Sequence, residues 1–137
     1  MKLLTSDHRT ALKAAFEDET KDHPPLVKLF RPWGPGTWLL MGLTEDEALA
    51  FGLCDLGLGF PELGYVSLDE LRAVKGPFGL GVERDIHFTA KATIGVYAEA
   101  ARIGEAITED EGKLRQACAV LERRAKEDGR RLRATML

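Results

Sequence analysis

The sequence predicts a single-domain α+β fold in which an antiparallel sheet of four or five strands packs with N-terminal and C-terminal helices. Three observations lead there. The chain has 137 residues, within the roughly 100 to 200 that one core usually organises. Between Leu26 and Val66 lie apolar, β-branched and aromatic runs joined by connections too short for parallel crossovers, which need about a dozen residues or more. Both ends carry apolar residues at helical spacing.

The first helix is expected from Ser6, as N-cap, to about Glu19, with Leu12, Ala15 and Phe16 on one face. Pro24 and Pro25 close that region, because proline lacks the helical N–H and pushes its predecessor toward extended backbone. Leu26 to Arg31 and Thr37 to Leu43 read as a hairpin around Pro32-Trp33-Gly34-Pro35-Gly36. Strands follow at Leu49 to Leu56 and Gly64 to Val66, across a glycine-rich loop from Gly57 to Pro61. Ser67-Leu68-Asp69-Glu70 has the form of a capping box for a short helix to Val74, stopped by Gly76-Pro77. Gly79 to Phe88 then reads as a strand, with Val82, Ile86 and Phe88 on one face and Glu83, Asp85 and His87 on the other. Thr93 to Ile103 is helical by the spacing of Ile94, Tyr97, Ala98 and Ala101. A second capping box at Thr108 to Glu111 opens a last helix to about Lys126, with Gly129 as its stop and a frayed terminus beyond.

Hydrophobic residues at 45% and charged residues at 30% exclude a wholly disordered chain. No apolar run approaches the about 20 residues that span a bilayer, and Met1 to Arg9 lacks the apolar segment of a signal peptide, so the expected location is cytoplasmic, without a membrane partner. The charge is uneven. Residues 1–112 hold 11 Lys and Arg against 19 Asp and Glu, a net of −8, whereas residues 113–137 hold 8 against 3, a net of +5. This divides the chain into an α+β core, residues 1–111, and a basic C-terminal helical extension, residues 112–137. A protein mimic of about 40 Å of duplex would present on the order of 20 negative charges on one face, more than this core carries. Cys54 and Cys118 belong to no CxxC or Cys/His cluster and read as buried thiols.

Six separated segments carry a resemblance: Met1-Lys-Leu-Leu-Thr5, Val27-Lys-Leu-Phe30, Gly36-Thr-Trp-Leu-Leu40, Phe51-Gly-Leu-Cys-Asp55, Glu62-Leu-Gly-Tyr-Val66 and Gly79-Leu-Gly-Val-Glu-Arg-Asp85. In that order they resemble the bacterial domain-of-unknown-function 2958 family over residues 1 to about 103. The resemblance implies a setting on plasmids and integrative elements and brings no catalytic residue set. It therefore points to a non-catalytic accessory protein binding an unidentified macromolecule, in its sharpest form a host defence complex inhibited by anti-restriction or anti-CRISPR action.

The residues themselves offer two other readings. Glu83, Asp85 and His87 on one strand face, with Asp55 or Glu62 nearby, would suit a small hydrolase or transferase, a carboxylate orienting His87 as general base. The same residues also read as a solvated face with Arg84 paired to a carboxylate. Three side chains at successive outward positions lie about 6.5 to 7 Å apart, too splayed to enclose one small ion unaided. The loop from Gly57 to Glu62 fits neither phosphate-binding glycine motif, and no motif requires a metal or cofactor. The second reading is nucleic-acid binding through Arg115, Arg123, Arg124 and Lys126, against a helix docked on the core by Leu114, Cys118 and Leu121. That apolar stripe would equally serve a homodimer. Trp33, beside the rigid turn, and Arg84 complete the candidate binding residues, while Trp38 reads as core.

Overall fold

The computed structural model describes residues 2–137. Helix α1, Ser6–Glu17, is capped by Thr5 rather than Ser6: Thr5 Oγ1 accepts from the His8 amide and the Thr5 amide donates to His8 Nδ1, both at 3.1 Å. The two exchange a capping box in which histidine takes the usual place of Glu or Gln. Strands β1, Val27–Phe30, β2, Thr37–Leu43, β3, Leu49–Asp55, and β4, Glu62–Ser67, form an antiparallel meander. After helix α2, Leu68–Ala73, the chain returns past a 3-10 turn at Pro77–Gly79 to lay β5, Glu83–Arg84, against β1. The five-stranded order is β4-β3-β2-β1-β5. Helices α3, Ile94–Gly104, and α4, Glu111–Glu127, complete the single α+β domain.

Alternation along β2 divides the core. Trp38 and Leu40 face a cluster with Val27, Leu29, Leu12 and Leu71, whereas Leu39 joins Leu53, Tyr97 and Leu114 on the other side. With both faces covered, β2 is almost continuously apolar, as its sequence is. A bulge between Leu40 and Gly42 seats Gly42 beneath Phe16, whose ring carbon would lie 2.8 Å from any added Cβ.

Three further features differ from the sequence expectation. The strand expected over Gly79 to Phe88 joins the sheet over just the two residues Glu83–Arg84: before them Gly81 makes an isolated bridge to Lys75, and after them the Asp85 side chain accepts from the His87 amide at 2.9 Å and turns the chain. A local side-chain acceptor competes here with the ladder and wins. Helix α4 is capped by Asp110, which accepts from the Lys113 amide at 2.9 Å, not by Thr108. The terminus is not frayed. Gly129, at φ 65°, reverses the chain, and Thr93 exchanges hydrogen bonds with Thr135 at 2.9 Å each way, while the Leu137 amide donates to the Lys91 carbonyl at 2.9 Å. Thr93 makes no cap to α3, so its hydroxyl is available to receive the returning tail.

Candidate functional site

Glu83, Asp85 and His87 do not converge. Glu83 lines a cleft of about 400 Å³ beside Leu3, Leu71, Arg72, Lys75 and Leu80. Asp85 lies on the far side of the turn, 3.8 Å from Lys28 Nζ, which binds Glu109 more closely at 2.6 Å. His87 is exposed and meets Asp85 through its backbone amide, not through its ring. Among the described residues no group of three His, Cys, Asp or Glu side chains is placed to hold a metal ion.

Asp55 is buried and has both oxygens engaged, Oδ1 by the Gly57 amide at 2.8 Å and Oδ2 by the Ile107 amide at 2.9 Å. Those bonds tie the loop after β3 to the segment after α3. Glu62 is exposed at the start of β4. Burial pushes both the Cys54 and Cys118 thiols up, so the protonated, unreactive form is favoured.

The binding candidates separate into tied and open side chains. Trp33 covers the backbone of Gly76, where an added Cβ would meet its ring at 2.3 Å, so the indole packs across the turn before β5. Arg84 donates to the Lys2 carbonyl at 2.6 Å. Arg124 lies inside a charge cluster: Glu99, 7% exposed, receives Arg102 through two bonds, at 2.8 and 3.1 Å, and Arg124 at 3.0 Å. The Arg102 hydrogen bond, with both guanidinium charges, holds the Glu99 carboxyl below the usual range. Arg115 pairs with Glu111 at 2.6 Å, while Arg123 and Lys126 are exposed. Leu114 and Cys118 are buried in the cluster that contains Tyr97 of α3, so this apolar stripe is used within the chain.

The most conspicuous surface feature is made of none of these side chains. The loop after β3 exposes Leu58 at 72% and Phe60 at 78%, with Leu56 half-exposed before them; β4 continues with Leu63 at 45% and Tyr65 at 58%. Large apolar side chains left exposed at such close spacing along the chain are candidates for an interaction surface. The signal was available: leucine and phenylalanine inside a glycine-rich turn, where polar residues are the norm. Asp55 and Gly57, the latter at φ 80°, shape this loop. A further exposed aromatic, Phe78, sits apart on the Pro77–Gly79 turn at φ 59°.

A family model described as "Protein of unknown function (DUF2958)" matches residues 3–108. No curated protein and no solved structure matches the chain. No helix among the described residues is long and apolar enough to cross a membrane.

Proposed function

The chain belongs to the domain-of-unknown-function 2958 family, and on that premise we propose that it is a non-catalytic interaction protein, an accessory of a plasmid or integrative element that binds a host protein. Its sharpest form is inhibition of a defence nuclease, by anti-restriction or anti-CRISPR action. The observation that carries the interaction reading is the exposed apolar run Leu56, Leu58, Phe60, Leu63 and Tyr65 along one loop and one strand. Such side chains supply the buried anchors of protein interfaces. The dispersal of Glu83, Asp85 and His87 supports the same reading over a hydrolase or transferase. The tail supports nucleic-acid binding less well, because Arg124, Arg115 and Arg130 are already paired with carboxylates of this chain.

The test is the plating efficiency of unmodified phage on hosts carrying either a restriction endonuclease or an interfering CRISPR system, with and without the protein. Protection by the native chain, lost in a folded Leu58→Ser/Phe60→Ser variant, is the expected result. No protection in either host from well-expressed protein rejects the anti-defence form. Turnover of a small-molecule substrate that disappears in Glu83→Ala or His87→Ala overturns the non-catalytic reading.

A further inference from the structure

We infer that β4 is an acceptor for strand addition and that its occupant is an extended segment of another protein, apolar at alternate positions and basic at both ends. The inference deepens the interaction reading and rests on it for the choice of surface. β4 stands at one edge of the sheet. The Leu68 amide donates to the Ala48 carbonyl at 3.2 Å, and the register continues unbroken from Leu49 opposite Ser67 to Cys54 opposite Glu62. Antiparallel ladders alternate between bonded and non-bonded pairs. Bonded positions on β4 are therefore Glu62, Gly64 and Val66, and the N–H and C=O groups of Leu63, Tyr65 and Ser67 turn outward.

This edge lacks the devices that usually discourage pairing. No lysine, arginine or proline lies within Glu62–Ser67, and no bulge interrupts its ladder with β3. Leu63 and Tyr65 project to one face and are both exposed, so alternate apolar residues of an added strand would cover them. On the opposite face Gly64 leaves open space, with nothing within 4 Å of an added Cβ. A large side chain across from Gly64 fits there.

Charge selects the occupant. Glu62 stands at one end of the edge, and Asp69 and Glu70 follow its other end, with Arg72 paired to Asp69 at 3.1 Å. A second copy pairing antiparallel would bring its own Glu62 toward Asp69 and Glu70, like charge on like charge. A strand with basic ends answers both ends, and residues 1–112 are acidic as a whole.

The experiment measures fluorescence anisotropy of a fluorescein-labelled nine-residue peptide with Lys at both ends, Val at alternate positions, Thr between them and Trp at the centre, titrated with the full chain. An analogue with Glu at both ends is run alongside. The expected result is binding of the Lys-ended peptide, weakened roughly tenfold or more in the Glu-ended one. Leu63→Pro and Tyr65→Pro should abolish it, since each removes only an outward N–H and spares the ladder to β3. Circular dichroism checks that these variants fold; should they not, Tyr65→Thr, which keeps the strand and removes the ring, should weaken binding several-fold. Equal binding of the two peptides, binding by neither, or binding retained in the folded proline variants overturns the inference. A concentration-dependent dimer by light scattering, lost in Tyr65→Pro, assigns the edge to a second copy and also overturns it. Peptide binding without phage protection rejects the anti-defence function alone, and protection without peptide binding rejects strand addition alone.

Discussion

At one edge of the sheet β5 pairs for two residues before Asp85 turns the chain away; at the other β4 runs for six with no such interruption. The β5 edge is closed by local chemistry: Arg84 donates to the Lys2 carbonyl, Trp33 covers Gly76 in the preceding turn, and Asp85 takes the His87 amide. The β4 edge has its interior order secured, through Asp55 at the loop and Ser67 at the α2 cap, while its outer side is left unpaired. One edge thus ends the sheet and the other leaves it extendable. The difference lies in side-chain acceptors rather than in strand propensity, since both edges carry residues that suit extended backbone.

The contrast breaks most severely at Gly52. It opposes Leu40 on β2 and Gly64 on β4, and an added Cβ would meet the Leu39 carbonyl oxygen at 2.0 Å. Gly52→Ala should cost on the order of 4 kcal/mol, since backbone rather than a flexible side chain stands in the way. Thermal denaturation should show the loss, and hydrogen exchange should quicken most along the β2–β3 ladder, whose Leu39 and Leu40 backbone the new Cβ would meet. Asp55→Ala comes next. It leaves the Gly57 and Ile107 amides without their buried acceptor and should destabilise by about 2 to 4 kcal/mol, read by denaturant unfolding. Exchange should quicken at Gly57 and Ile107 with β5 unaffected. At the opposite edge Asp85→Ala should cost only about 0.5 to 1 kcal/mol, because the Lys28 contact is long and partly exposed and only one turn hydrogen bond is lost. Equal losses in the two aspartate variants would remove the contrast between the edges.

Much of the fold was legible in the residues. The Pro-Trp-Gly-Pro-Gly turn located the first hairpin, and β2 begins at Thr37 and ends at Leu43, as its apolar run indicates. The spacing of Val82, Ile86 and Phe88 suggests a strand over Gly79 to Phe88, yet Val82 is buried and Ile86 exposed, because an Asx bond set by where Asp85 Oδ1 points ends the pairing. Pairing of β5 with β1 is also non-local and leaves no periodic trace. Docking of the tail rests on Thr93 meeting Thr135, 42 positions away, and on Lys91 meeting Leu137, pairings that composition cannot reveal. For the site, Leu58 and Phe60 were visible as apolar residues in a glycine-rich turn. Their exposure, and the outward groups of β4, follow only from knowing which strand is the edge.

The smallest expected effect concerns His8, which lies near the closed edge and joins a cleft with Arg84 and Asp85. Burial, aided by the Arg84 charge and opposed by Asp7, holds its imidazole below the ordinary value of 6.5. Geometry gives the reason a proton is unwelcome: Nδ1 accepts the Thr5 amide, and protonation would set a donor against a donor. The sign follows from linkage. With the folded-state value depressed, the unfolded chain binds the proton more readily, so the contribution of His8 to stability is complete above about pH 6.5 and declines as pH falls toward the folded-state value. The carboxyls of Asp18, Asp46, Glu47 and Glu99 are likewise held low, but from the carboxylate range, so their losses come at more acid pH. His8→Gln keeps a side-chain acceptor for the Thr5 amide and removes the titration. Its melting temperature should therefore vary less than that of the native chain between pH 7.5 and 5.5, and an unchanged slope would place the acid sensitivity elsewhere than at this cap.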